Sequence, residues 1–164
     1  MIKHSQYFTA EIYSSALVSA IDINDVDYII DLGIGDGALS YASLSRWPQA
    51  NITAFDIDEN ICEKYTNNAQ IRVTKEDVLT DYFGDNNTIK KYDLAICNPP
   101  FSKIKKREYF DYLFEKANLL ECKQIKQLTA DLLFLTLNLI FIKKGGCCAI
   151  ILPDGPLTRI DYKP

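Results

Sequence analysis

Histidine is nearly absent from this chain; His4 stands alone among 164 residues. The five cysteines, Cys62, Cys97, Cys122, Cys147 and Cys148, form no Cys-x-x-Cys pair. A structural zinc site draws its ligands from clustered His and Cys, so this composition argues against a metal centre. The cysteine count is also odd and too low for a disulfide scaffold, and reduced thiols in a cytoplasmic protein are the simplest reading. No uncharged apolar run reaches ~18 residues, which argues against a membrane span. The opening MIKHSQYFTAEIY lacks the apolar core of a secretory signal. Internal repeats, low-complexity tracts and long linkers are missing as well. The remainder is ordinary globular composition, 48% apolar and 24% charged, at a length that suits one domain over residues 1–164.

Net charge is small overall but unevenly placed. The net value is −4, which alone does not suggest a nucleic-acid binder. Residues 1–97 carry 7 Lys/Arg against 15 Asp/Glu, whereas residues 98–164 carry 11 against 7. The densest basic run is Lys103, Lys105, Lys106 and Arg107. It reads either as a solvated loop or as a loop that contacts phosphates.

Hydrophobic patterning predicts alternating strands and helices. Residues 28–32, 51–56, 71–74, 92–97 and 147–152 read as strands, the last stopped by Pro153. Helices are expected at 10–22, at 38–46, from a cap at Asp58 to about Asn68, at 107–121 and at 127–143, with Gly145-Gly146 ending the last. Such alternation means a mostly parallel, twisted sheet with helices on both faces, an α/β Rossmann-like architecture. The strands are continuously apolar, as strands buried on both faces are.

Asp31-Leu-Gly33-Ile-Gly35-Asp36-Gly37 follows the first strand and opens a helix. Glycines there permit positive φ and close approach of backbone to a ligand, and the helix N-terminus adds N–H donors. Asp56, at the end of the second strand and 19 positions after Gly37, suits a carboxylate that accepts from two ribose hydroxyls. Two cofactor classes compete. Gly33-x-Gly35-x-x-Ala38 formally satisfies a dinucleotide fingerprint. Asp31 and Asp36, however, would repel a pyrophosphate by roughly a few kcal/mol and favour a ligand with ammonium and sulfonium groups, which S-adenosylmethionine has. A tight turn without a ligand is the bland alternative. Asp77, after the third strand, reads as an acceptor for an adenine amino group, as a helix cap, or as both.

Asn98-Pro99-Pro100-Phe101 follows the fourth strand, at the carboxyl edge where open α/β sheets bind ligands. The Asn98 side-chain oxygen and the Pro99 carbonyl can accept both hydrogens of an exocyclic NH2, which aims the nitrogen lone pair at a methyl group. Phe101 can stack on the base. A base presented in this way has left the duplex stack, and in-line methyl transfer then depends mainly on positioning. A rigid Pro-Pro turn is the structural alternative.

These motifs, in this order, resemble the N6-adenine DNA methyltransferases, especially the modification subunits of type I restriction systems and their relatives. Gln6-Tyr7-Phe8-Thr9 resembles the family's N-terminal motif, Asp31 to Gly37 its cofactor motif, and Asn98 to Phe101 its catalytic motif. Ile151-Leu152-Pro153-Asp154-Gly155-Pro156-Leu157 resembles a segment after the fifth strand of type I subunits. The resemblance implies that Gln6, Tyr7, Phe8, Thr9, Asp31, Gly33, Gly35, Asp56 and Asp77 hold S-adenosylmethionine. It implies that Asn98, Pro99, Pro100 and Phe101 hold an adenine flipped out of DNA. RNA and protein-glutamine methyltransferases share the Asn-Pro-Pro-aromatic motif, and Gln-Tyr-Phe-Thr tips the resemblance toward DNA.

The chain departs from the family in three ways. Ser5 and Ala10 stand where glycine and proline are common. The antiparallel strands that complete the family's sheet have no counterpart, so an edge that needs a partner is expected. A target-recognition domain is not read in these residues either, so a specificity or partner subunit is the implied complement; a truncated gene product, one fragment of a split enzyme and a remnant reused for another task are the readings this leaves open. A domain that has lost turnover and serves as an antitoxin, immunity or assembly module is the competing reading.

Overall fold

The computed structural model describes residues 9–80, 83 and 92–152. Its elements are α1 (Glu11–Ser19), β1 (Tyr28–Leu32), α2 (Ala38–Arg46), β2 (Asn51–Asp56), α3 (Glu59–Glu63), β3 (Ile71–Lys75), β4 (Tyr92–Cys97), β5 (Lys103–Ile104), α4 (Glu108–Lys116), β6 (Leu128–Thr129), α5 (Ala130–Phe141) and β7 (Ile142–Ile150). A 3-10 turn at Leu120–Gln124 joins α4 to β6. Five strands form one sheet in the order β3-β2-β1-β4-β7, every pair parallel. β1 and β4 lie at its centre, which explains their unbroken apolar runs: Ile29, Ile30, Leu32, Leu94, Ala95 and Ile96 are all buried.

Each face of the sheet carries its own core. On one face, Ile30, Leu32, Ala95 and Cys97 pack with α4 and α5 through Phe110, Phe114, Leu133, Leu137 and Phe141. Phe83 meets both Phe55 and Phe141 edge to face, with centroids 5.0 and 5.9 Å apart. On the other face, Ile29, Ile52, Leu94 and Ile96 pack with Val18, Leu39, Trp47 and Ile61. Ser14, Ser40 and Ser43 are the buried polar residues of α1 and α2, and their small side chains let these helices pack closely.

Several expected boundaries move; the helix expected at 10–22 already ends at Ser19. The helix after Asp58 is capped as expected, Asn60 N–H donating to Asp58 Oδ1 at 2.9 Å, but it ends at Glu63. Asn68 Oδ1 accepts from the N–H groups of Gln70 and Ile71 and draws the chain into the turn before β3. The helix expected at 107–121 stops at Lys116, and Asn118 takes a positive φ of 59°. The one expected at 127–143 is shortened at both ends: Leu128 and Thr129 pair with β5, and Ile142 already pairs with Tyr92. Gly145-Gly146 therefore ends no helix; it lies in the register shift of β7 between Ile142 and Cys147.

Candidate functional site

The strand order reverses between β1 and β4, and a parallel sheet opens a crevice at such a switch point beyond its carboxyl edge. The glycine loop leaves β1 there and the Asn98 loop leaves β4 beside it. Asp31 is in register with Ile96, so the two loops start within two residues of each other along the sheet.

The glycine loop is fixed by backbone contacts. The N–H groups of Gly33 and Ile34 both donate to the Phe55 carbonyl, at 2.8 and 3.1 Å. Gly33, Gly35 and Gly37 have φ of 79°, 56° and 80°, the left-handed region that side chains disfavour. Around Gly35 a Cβ would meet no atom of the described residues within 4 Å, so among them the loop's crest is uncovered. At Gly37 the case is opposite: a Cβ would lie 2.4 Å from the Tyr65 hydroxyl.

Three carboxylates serve this loop differently. Asp31 is only 2% exposed and accepts the Ser40 hydroxyl at 2.7 Å. Burial pushes its pKa up to about 7; Asp56 and Asp36 push the same way, and the Ser40 hydrogen bond opposes them. Its charge is therefore partial at neutral pH, which weakens the electrostatic case against a pyrophosphate as built on Asp31. Asp56 is 9% exposed; its Oδ2 accepts from Gly35 N–H at 2.9 Å and its Oδ1 from Asp58 N–H at 3.0 Å. A carboxylate offers about four acceptor positions, so each oxygen keeps one for a ligand. Asp36 caps α2 through Ala38 N–H at 3.3 Å.

The Asn98 loop presents two acceptors. Asn98 Nδ2 donates to Thr9 Oγ1 at 2.9 Å, across 89 residues of chain, and this contact orients the planar amide. Among the described residues nothing donates to Asn98 Oδ1 or to the Pro99 carbonyl. Phe101 is 38% exposed beside them. Behind the loop, the fully buried Cys97 donates its thiol proton to the Leu32 carbonyl at 3.0 Å and ties the ends of β4 and β1 together. Burial holds that thiol well above its ordinary pKa, so it stays a donor.

The structure thus brings Thr9, Asp31, Gly33, Gly35, Asp56, Asn98, Pro99, Pro100 and Phe101 to one edge of the sheet. Asp77 follows β3, is exposed, and caps its own turn, accepting from Leu79 N–H at 3.0 Å. Gln6, Tyr7, Phe8 and Pro153 to Leu157 lie outside the described residues. The sequence reading missed Ser40, which holds Asp31. It also missed Tyr65, whose hydroxyl donates to the Gly35 carbonyl at 3.1 Å. A serine one turn into the helix, nine positions after the acid, was a readable signal; the Tyr65 contact spans 30 residues and had none.

Known proteins place this arrangement. The family model of the methyltransferase small domain matches residues 9–120. The chain belongs to that methyltransferase family. It is 31% identical over 161 residues to the type II methyltransferase M.AccI of Acinetobacter calcoaceticus, covering 98% of this chain and 29% of that protein. It is 28% identical over 162 residues to a tRNA1(Val) (adenine(37)-N6)-methyltransferase of a Flavobacteriaceae bacterium, covering 94% and 64%. In fold it matches the methyltransferase subunit of a type I restriction-modification system from Streptococcus thermophilus. That match has a TM-score of 0.69 at 17% identity, over 93% of this chain and 36% of that one. The chain thus spans less than two thirds of each of these proteins.

S-adenosylmethionine is the cofactor of this class of methyltransferase, and the donor set fits it. The open crest at Gly35 admits a ligand against backbone, Asp56 keeps acceptor capacity for a diol, and the carboxylates suit a cationic group. Among the described residues no helix is long and apolar enough to cross a membrane.

Proposed function

We propose that this domain transfers a methyl group from S-adenosylmethionine to the exocyclic N6 amine of adenine, with DNA as the acceptor. The observation that carries the reading is the pair of acceptors, Asn98 Oδ1 and the Pro99 carbonyl, that no described residue engages at the switch point beside the glycine loop. When bound, the cofactor supplies an electrophilic methyl group. The residues of the chain supply position. Asn98 Oδ1 and Pro99 O accept both N–H groups of the amine, which withdraws its lone pair from the ring and turns it toward the cofactor site. Phe101 offers its ring to the base plane. Thr9 holds the Asn98 amide in the orientation that presents oxygen, not nitrogen, to the substrate. Asp56 and the glycine loop hold the cofactor's ribose side, and Asp31 faces its cationic end. The proton displaced by methylation passes to water, so no dedicated base is required. Orientation of this kind lowers a barrier by up to roughly 7–11 kcal/mol in favourable cases.

The similarity to M.AccI over nearly the whole chain, together with the Gln6 to Thr9 motif, supports DNA among the possible acceptors. Likeness in fold to a subunit of a type I restriction-modification system supports a partner that supplies sequence recognition. A cytoplasmic site of action follows from this reading.

The test is Asn98→Ala. Methyl incorporation from labelled S-adenosylmethionine into adenine-containing DNA, tRNA and a glutamine peptide is measured beside cofactor binding by calorimetry. Loss of at least ~100-fold in rate with cofactor affinity within about twofold is expected, since the lost contacts touch only the acceptor. Full-rate methylation by the variant would remove Asn98 from the mechanism.

A further inference from the structure

Immediately beyond Phe101 the chain enters β5, whose Lys103 and Ile104 pair antiparallel with Thr129 and Leu128 of β6. Ala130 N–H donates to the Ser102 carbonyl at 2.9 Å, which closes the ribbon against the start of α5. Across residues 98–107 and 122–129 there are six Lys or Arg side chains and not one Asp or Glu. They divide by their contacts. Lys106 pairs with Asp111 at 2.9 Å and donates to the Lys123 carbonyl, Lys123 pairs with Glu115, and the Arg107 guanidinium lies 5.5 Å from the centroid of the Phe110 ring. These cations brace the ribbon. The Lys103, Lys105 and Lys126 side chains are exposed and have neither an ion pair nor a hydrogen bond among the described residues.

The other side of the crevice carries the opposite sign: Asp31, Asp36, Asp56, Asp58, Glu59, Glu76 and Asp77 follow or border β1, β2 and β3. The acidic lip matches a cationic cofactor and repels a polyanion. The basic ribbon does the reverse, and it begins two residues after the ring that stacks on the base. Lys103 lies within ~7.6 Å of Phe101 along the backbone, inside one Debye length at physiological salt, about 8 Å.

We infer that the β5–β6 ribbon is the phosphate-binding track of the site, where Lys103, Lys105 and Lys126 hold the backbone of a single-stranded or locally opened nucleic acid whose base enters beside Phe101. The inference deepens the methyl-transfer reading and rests on it: the acceptor is a polynucleotide and not a glutamine side chain. Phosphodiesters are common to DNA and RNA, so both are compared.

The experiment measures fluorescence anisotropy with fluorescein-labelled oligodeoxynucleotide and oligoribonucleotide of one sequence, about 12 nucleotides long, between 50 and 200 mM NaCl. S-adenosylmethionine binding is titrated on the same protein. Three phosphate contacts predict a slope of log affinity against log salt near −2, roughly an 18-fold loss over that range. The K103A/K105A/K126A variant loses at least ~10-fold in affinity at low salt and most of the slope. The K103R/K105R/K126R variant retains both, because it keeps the charge. Equal slopes in the alanine and wild-type proteins overturn the track while the methyl-transfer reading stands. Salt-dependent binding abolished by the alanine variant upholds the track even where no cofactor binds, and that result sinks the methyl-transfer reading alone. Methylation or binding of a glutamine peptide with no affinity for either oligonucleotide overturns the track as well.

Discussion

Asp31→Asn separates the cost of this buried acid to the fold from its service to the cofactor. Burial, with Asp56 and Asp36 nearby, raises the Asp31 pKa from 3.8 to about 7 against the pull of Ser40. The folded value exceeds the unfolded one, so the folded state binds the proton more tightly. Its contribution to stability is full below about pH 4 and is lost as pH rises through 7. A shift from 3.8 to about 7 corresponds to a swing of about 4 kcal/mol, an upper bound for one buried carboxyl. Asparagine keeps the shape and the Ser40 contact but never ionises. The variant should therefore gain as much as ~2–4 kcal/mol over wild type at pH 8, and little at pH 4.5, by urea unfolding followed with circular dichroism. The gain has a functional counterpart. If ionised Asp31 pairs with the cofactor's ammonium, wild-type affinity rises about tenfold from pH 6 to pH 8, as the ionised fraction climbs from roughly a tenth to nine tenths. In the asparagine variant affinity is weak and flat over that range. A wild-type affinity independent of pH, or a stability difference equal at pH 4.5 and pH 8, would refute the reasoning.

Two further substitutions probe the frame around the site. Gly37→Ala places a methyl 2.4 Å from the Tyr65 hydroxyl at a φ of 80°. Backbone strain of about 1–2 kcal/mol is expected before the clash is counted, and calorimetry should show cofactor affinity falling at least tenfold in a protein that still folds. Asp93 accepts from Asp27 and Tyr28 N–H at 2.9 and 2.8 Å and pairs with Lys143. Burial alone would raise its pKa, but Lys143 and the two N–H groups outweigh that and hold it below the ordinary value. The stability it contributes is present above about pH 4 and is lost as pH falls. Asp93→Asn should then cost ~1–2 kcal/mol at pH 7, after allowance for the half-exposed Lys143, and the deficit should shrink in thermal melts near pH 3.

Legibility followed the range of the forces. β1, β2, β4 and α2 appear at the residues the pattern indicates, because strands buried on both faces must be apolar throughout and the glycine loop breaks the run between β1 and α2. The placement of Asp31, Asp56 and Asn98 at the carboxyl edge was legible for the same reason: each stands at or beside the end of an apolar strand. The ends of α5 were misread because a distant partner decided the local state. Leu128-Thr129 and Ile142-Lys143 continue the apolar pattern of α5, which periodicity alone cannot tell from a strand. Pairing with β5 and with Tyr92 makes them extended.

Three residues show why the remainder of the site was hidden. Ser40 and Tyr65 have no ligand to touch in the proposed reaction; they hold Asp31 and the Gly35 carbonyl, and such roles have no composition signature. Cys97 is fully buried and packs as a small hydrophobe. Its thiol nonetheless bridges β4 to the Leu32 carbonyl, one residue before the glycine loop and one before Asn98. The glycine loop and the Asn98 loop are held side by side by this contact together with the β1–β4 pairing beneath them. An in-line transfer needs the methyl and the amine within near-contact distance. In the proposed transfer the relative height of β1 and β4 therefore sets that distance, and the residues that fix it lie beneath the site, in the part of the chain that reads as core.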